Sequence, residues 1–284
     1  TTEIYTLSLH DALPICIDGK TIQESDLYDP EYPFLNRDPR LRASLVYPGQ
    51  VYTGYEDSPT GCYNPMPAQI NGNNNQDYWN NAGNASKSGL QLGKYFAASN
   101  VTSDGLSHMT LHYKVMRYAE VLLTLAECNI ELGNLAEAVK YLNQVRARAG
   151  MPDVAVTDQN TLRAQVRRER RVELNSEGLR REDMVRWQVD NDGKWVASGG
   201  TPYIVWKFQN DMKIEHLDGD IENRKDANGD WVAHITGRTG GEHNAQQTAF
   251  ARENFETFTA KNIFWPISQG TIDVNPAIKQ TAGY

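Results

Sequence analysis

The chain is short of the features that would fix a compartment or a chemistry on their own. Cysteine occurs only at Cys16, Cys62 and Cys128, too sparse and too widely spaced for a disulfide framework or a zinc knuckle. Cys128 falls inside a helical pattern and is expected to be a small core residue. Cys16 follows Ala12-Leu13-Pro14-Ile15, but Glu3, His10 and Asp11 interrupt the apolar stretch that a lipidation signal needs. It is therefore not read as a lipid attachment site. No apolar run reaches the ~18 residues that cross a bilayer, so membrane association is expected only through a lipid anchor or partner outside this sequence. Basic residues are in deficit: 28 Lys plus Arg stand against 36 Asp plus Glu, a net charge of −8. Such a chain repels a phosphate backbone, and nucleic acid is not expected as a partner.

Enzyme signatures are missing too. There is no His-Glu-x-x-His, no Gly-x-Ser-x-Gly elbow, no Gly-x-x-x-x-Gly-Lys loop and no Cys-x-x-Cys. The expectation is a protein that is not an enzyme and uses no cofactor or metal. A glycoside hydrolase needs only two well-spaced carboxylates, so hydrolysis stays as the alternative. An initiator methionine is also absent, and the run from Leu7 to Ile15 reads as sequencing-adaptor sequence. Residues 1–15 are set aside as a non-native scar, and 16–284 are taken as the carboxy-terminal part of a single larger domain.

What is present is helix bracketed by loop. From Ile17 to about Leu106 the chain is rich in Asp, Asn, Gly, Pro and Tyr without a helical period, which predicts long ordered loops with short extended pieces. A helical core is expected over about 111–188. There Val115, Ala119, Leu122, Ala126 and Ile130 recur every three or four positions, and Gly133 then stops the helix. Asn134 and Glu137 have capping-box spacing for a second helix carrying Leu135, Ala138, Leu142, Val145 and Ala149, which ends at Gly150. This antiparallel hairpin is similar to a tetratricopeptide repeat, which needs neighbours because one copy cannot bury both its faces. A third helix is expected to start after Asp158 or Asn160 and run to about Asn175, and a fourth over roughly Arg181 to Gln188.

The third helix carries Arg163, Arg167, Arg168, Arg170 and Arg171 interleaved with Glu169, Glu173 and Glu177. That spacing predicts a salt-bridged packing helix, not an anion-binding patch. Arg37 and Arg40 are expected to satisfy carbonyls and carboxylates where a loop meets a helix. A loop-rich insertion with small β-hairpins is expected over about 189–260, with turns at Asp192-Gly193, Asp218-Gly219 and Asn228-Gly229. Within it Asp226-Ala227-Asn228-Gly229-Asp230 has calcium-loop alternation but lacks the EF-hand glycine and distal glutamate, so a turn is expected. The tail over 261–284 is expected to lie extended.

Three segments together carry a family resemblance. They are Arg37-Asp38-Pro39-Arg40; Met116-Arg117-Tyr118-Ala119-Glu120 with Leu142-Asn143-Gln144-Val145-Arg146 and Glu169-Arg170-Arg171; and Asn262-Ile263-Phe264-Trp265-Pro266. In this order they resemble the SusD-like (RagB/SusD) outer-membrane nutrient-binding lipoproteins. The resemblance implies a mainly α fold, a SusD-like superhelix of tetratricopeptide-like hairpins with long ordered loops and small β-hairpins. It further implies oligosaccharide capture at the outer-membrane surface and delivery to a SusC-like TonB-dependent transporter.

A sugar site wants aromatic faces beside amides and carboxylates. The loop from Tyr52 to Asn84 holds that mixture, and Tyr55, Tyr63, Asn74, Tyr78 and Trp79 are the candidate ligand contacts. Trp195, Tyr203, Trp206 and Trp231 rank second, with packing favoured for them. A tetratricopeptide-type scaffold that binds peptide is the remaining alternative.

Overall fold

A computed structural model describes residues 15–29, 31–51, 61–65, 69–70, 73–74, 90–95, 114–187, 212–214, 225–235 and 267–281. Chain contacts divide the protein into one unit of Thr1–Glu177 with Val205–Gln247 and a second of Gly178–Ile204 with Thr248–Tyr284.

The first unit is built on a helix hairpin. Before it come a short helix α1 (Arg40–Ser44) and the strand pieces β1 (Leu45–Val46), β2 (Gln69–Ile70), β3 (Asn73–Asn74) and β4 (Gln91–Leu92). The hairpin helices are α2 (Tyr118–Glu131) and α3 (Leu135–Arg148), and α4 (Gln159–Glu173) packs across α2. Leu122, Leu123, Ala126 and Ile130 of α2 are buried, as are Ala138, Val139, Leu142 and Val145 of α3 and Leu162, Val166 and Val172 of α4. Each large side chain among them contributes about 1.5–3 kcal/mol by leaving water.

The two hairpin helices end alike. Asn134 N–H donates to Asn129 O (2.8 Å) and Gly133 N–H to Ile130 O (3.1 Å), while Met151 N–H donates to Arg146 O (2.9 Å) and Gly150 N–H to Ala147 O (3.1 Å). This paired closure needs a left-handed residue, supplied by Gly133 at φ 78° and Gly150 at φ 72°.

Five expectations need correction here. The helical pattern reaches back to Val115, but α2 starts at Tyr118, because Arg117 is extended (φ −144°, ψ 159°) and its guanidinium is drawn to Glu173 and Glu177. Val115 is 83% exposed. The capping box does not form: Asn134 makes no side-chain cap bond, its amide donates to Asn129 Oδ1 (3.3 Å), and Glu137 pairs with Lys140 (2.6 Å). The backbone closure of α2 uses Asn134, which displaces it from the capping geometry.

Cys128 is exposed, not core. At about 100° per residue it lies about 200° round the helix from buried Ala126. Tyr118, Val121 and Leu125 are exposed on α2 as well, as is Leu132 just past its end, so the hairpin leaves open a face on which a repeat takes a neighbour.

The fourth correction concerns residue 15. Ile15, placed at the end of the segment set aside as a scar, is a core residue at 1% exposure, and its carbonyl accepts from Asp38 N–H at 3.1 Å. It clusters with Phe34, Leu41, Leu45, Tyr47, Cys62, Leu90, Met151, Val172 and Ala233. Loops, helix ends and a strand of the insertion thus meet in one core. Phe34 and Tyr47 stack within it at 4.9 Å between centroids.

Helix α1 was not anticipated from the sequence, since five residues are too few to show a period. Helix α4 starts as expected, with Asp158 Oδ1 accepting from Asn160 N–H and Thr161 N–H, both at 3.0 Å. β1 pairs antiparallel with β4 and β2 with β3, while β5 (Met212–Ile214) pairs with β6 (Ala233–Ile235) in the insertion.

The second unit contains α5 (Arg180–Trp187), close to expectation, and α6 (Gln269–Val274), which replaces part of the extended tail. Ser268 starts α6 by accepting from Thr271 N–H (3.3 Å), and the helix stops at Asn275 ahead of Pro276.

Candidate ligand-binding loop

Of the five candidate contacts, Tyr55, Tyr78 and Trp79 lie outside the described residues. Asn74 is described as backbone, in β3, where it pairs antiparallel with Gln69 of β2. Tyr63 is described fully and is 0% exposed. With Cys62 and Asn64, also buried, it forms the root of the loop. Trp195, Tyr203 and Trp206 lie outside the described residues. Trp231 is half-buried against the core, with Lys225 Nζ 4.3 Å from its ring centroid.

The root is tied as a neck. Gly49 N–H donates to Tyr63 O (2.9 Å) and Tyr63 N–H donates to Gln50 O (3.0 Å), so the chain on either side of residues 52–60 runs together. Gln50, itself buried, braces this turn: its Oε1 accepts from Tyr47 N–H (3.1 Å) and its Nε2 donates to Arg42 O (3.3 Å).

A second strap arrives from the insertion. Asp230 is 1% exposed, and its carboxylate accepts from Arg42 Nε (2.7 Å), Arg42 Nη2 (3.1 Å), Tyr47 Oη (2.9 Å) and Val51 N–H (3.0 Å). The next residue, Trp231, donates its N–H to Gly49 O (2.9 Å). Burial and the Asp230 charge push the Tyr47 hydroxyl far above its ordinary value, which keeps it a donor.

The Asp226–Asp230 segment is a turn. Asp226 N–H donates to Asp230 O (2.9 Å), and Asp226 Oδ1 accepts from Asn228 N–H (2.8 Å) and Asp230 N–H (3.0 Å). Its carboxylates thus serve the fold. No grouping of three or more His, Cys, Asp or Glu suited to a metal occurs among the described residues.

Beneath the loops lies a charged hub on α4. Glu169 accepts from Arg40 Nη1 (2.6 Å) and Arg146 Nη1 (2.8 Å). Glu173 accepts from Arg117 Nη1 (2.6 Å), Arg40 Nη1 (2.9 Å) and Arg148 Nη2 (2.6 Å). Glu177 accepts from Arg117 Nε (2.7 Å) and Lys94, whose Nζ also donates to Glu173 O (2.9 Å) and Asn175 O (3.0 Å) at the end of α4.

The expected salt-bridged helix is therefore present, and its carboxylates pair with cations from other segments of the chain. Arg163 reaches Glu131 of α2 (2.6 Å), and Arg170 reaches Thr124 (3.1 Å). Arg40 and Arg37 have the roles expected of them. Arg40 forks onto Asp38 (2.7 and 2.9 Å), and Arg37 Nη1 donates to Pro33 O (2.6 Å).

Burial alone would raise Glu173, but the Arg117 and Arg40 bonds hold it below its ordinary value. A general acid needs the opposite shift. Asp38, Glu127, Asp183 and Asp230, the remaining buried carboxylates described, each face an arginine too.

Fold and site together define a mainly helical protein in which Tyr63, one of the candidate contacts, is buried at a neck tied to the Asp226–Asp230 turn. The chain belongs to the SusD family, whose model matches residues 7–284. That match begins inside the segment 1–15 set aside as a non-native scar. SusD-like protein P25 of Formosa agariphila is 39% identical over 79 residues, 26% of this chain and 15% of that protein. A SusD-like protein from Bacteroides fragilis superposes at TM-score 0.60 with 20% identity, over 97% of this chain and 46% of that one. A SusD-like carbohydrate binding protein from the same organism superposes at TM-score 0.57 with 24% identity, over 95% and 47%. The chain thus spans about half the length of these solved relatives, and at such identities the likeness speaks for the fold.

Proposed function

We propose that the chain belongs to a non-catalytic glycan-capture protein that binds an oligosaccharide at the outer-membrane surface and delivers it to a SusC-like TonB-dependent transporter. The observation that carries this reading is the family match over residues 7–284, and the carbohydrate-binding description of one structural relative points the same way. The loop chemistry supports it. Tyr55, Tyr78 and Trp79 are the candidate platforms and Asn74 is the amide beside them, while the buried Tyr63 acts as the loop's anchor. In this reading the protein is held at the membrane by a lipid anchor, and binding and release complete its work without bond cleavage.

The test is retardation in native gels cast with defined polysaccharides, for the natural sequence and for Tyr78→Ala/Trp79→Ala. Loss of retardation with an unchanged circular dichroism spectrum supports capture through this loop. New reducing ends released by purified protein point to the hydrolase instead. Retardation that survives the double substitution moves the site elsewhere.

A further inference from the structure

An asparagine followed by glycine is a pair that can modify itself without an enzyme. The glycine nitrogen attacks the asparagine side-chain carbon Cγ, a five-membered succinimide closes, and ammonia leaves with the proton from that nitrogen. Water then opens the ring at either carbonyl. The net change is loss of ammonia and gain of water, and the product is aspartate or isoaspartate. Glycine favours the attack because it has no side chain to obstruct it. Two such pairs occur in the chain, Asn71-Gly72 and Asn228-Gly229. The second sits in the turn that carries Asp230, with Asn228 exposed and nothing within 4 Å of a Cβ built on Gly229. Exposure alone would leave it open to conversion.

The turn, however, engages both reacting groups. The attacking nitrogen is occupied, since Gly229 N–H donates to Asp226 O at 3.1 Å. The amide to be expelled is occupied too, since Asn228 Nδ2 donates to Asp226 Oδ2 at 3.1 Å. Asp226 Oδ1 accepts from Asn228 N–H (2.8 Å) and Asp230 N–H (3.0 Å), and Asp226 N–H donates to Asp230 O (2.9 Å), which closes the turn around the pair. Gly229 N must give up its proton and move onto Cγ, so conversion waits on local opening of these bonds.

We propose that Asn228 is a modification site, converted to aspartate and isoaspartate by water, and that the Asp226 carboxylate holds its rate down by keeping the turn closed. The consequence reaches the core. Isoaspartate adds one carbon to the backbone between residues 228 and 229, inside the closed turn, and Asp230 and Trp231, which hold Val51 and Gly49, follow directly.

The experiment incubates the full chain at mildly alkaline pH, folded and in urea, and follows residues 228 and 71 by peptide mapping with isoaspartate separated from aspartate. In urea the two pairs should convert at similar rates. Folding should slow Asn228 about tenfold or more, because the bonds to a charged carboxylate must open first. Asp226→Ala should return most of that factor while the chain stays folded by circular dichroism, and Asp226→Asn, which keeps one acceptor oxygen without the charge, should lie between. Leu142→Ala, buried in α3, lowers stability away from the turn and should leave Asn228 as slow as in the natural sequence. The proposal is overturned if Asn228 converts as fast in the folded natural sequence as in urea, or if Asp226→Ala leaves its rate unchanged. Should Asp226→Ala fail to fold, Asp226→Asn decides in its place, and a rate equal to the natural one overturns the role of the carboxylate.

Discussion

Replacing Arg40 by methionine tests the charged hub most directly. The guanidinium is buried and serves three carboxylates: Asp38 at 2.7 Å, Glu169 at 2.6 Å and Glu173 at 2.9 Å. Their losses are unequal. Glu169 keeps Arg146 at 2.8 Å, and Glu173 keeps Arg117 and Arg148, both at 2.6 Å. Asp38, with a side chain 0% exposed, keeps only the N–H of residue 40 at 2.9 Å. The variant therefore strands one buried charge and weakens two others. Removing one partner of a buried pair costs about 3–5 kcal/mol, and methionine returns part of the packing of the arginine stem.

The expected loss is about 4 kcal/mol, read as a lower urea midpoint in circular dichroism at 222 nm. Asp38→Asn/Arg40→Met neutralises the stranded group, so it should recover about half of that loss, since an unpaired amide costs ~1–3 kcal/mol. The reasoning is refuted if Arg40→Met unfolds within about 1 kcal/mol of the natural sequence, or if the second substitution lowers stability further.

Three shorter predictions follow from the same geometry. In native protein one thiol, Cys128, should react promptly with Ellman's reagent, because Cys16 and Cys62 are buried and burial pushes Cys62 up to about 12; denaturant should release all three. Gly49→Ala should destabilise the first unit by more than the ~1–3 kcal/mol of a strained backbone alone, because a Cβ there would lie 2.1 Å from Trp231 O at φ +88°; a melting temperature within error of the natural one would count against the neck. Glu173 is held below its ordinary 4.5 in the folded protein, so its contribution is fully present above 4.5 and disappears as pH falls through the lower folded value. Acid unfolding monitored by ellipticity should therefore begin below pH 4.5, and Glu173→Gln should flatten stability in that window.

Much of the helical frame was legible because its signals are local. Asp158 and the apolar spacing of α4 mark its start, and Gly133 and Gly150 mark the ends of the hairpin helices. What escaped was set by distant partners. The sequence shows Glu173 beside the arginines of its own helix, yet Arg40 lies 133 residues away from it and Arg148 25. Arg117 reads as one more helical residue, and its attachment to Glu173 and Glu177 is what holds it extended. Composition made the aromatic loop a candidate, but a ring can be an open platform or an anchor, and only the packing around Tyr63 shows it enclosed.

The hub and the Asp230 strap answer the same physical need. Loops without helical period carry too little apolar surface to choose one conformation by burial alone, and an apolar core tolerates many arrangements of similar volume. A buried carboxylate is less permissive, because each acceptor left without a donor costs about 1–3 kcal/mol. Glu169 and Glu173 apply that demand where Arg40 and Arg117 bring the loops onto α4, and Asp230 applies it where the insertion meets the neck at Gly49 and Val51. Arginine suits this task better than lysine, since its planar fork satisfies two carboxylates at fixed angles, as Arg40 does with Asp38 and Glu169. Arg40→Lys should therefore keep the charge and still lose stability, and a lysine variant as stable as the natural protein would show that charge alone, without fork geometry, holds the loops in place.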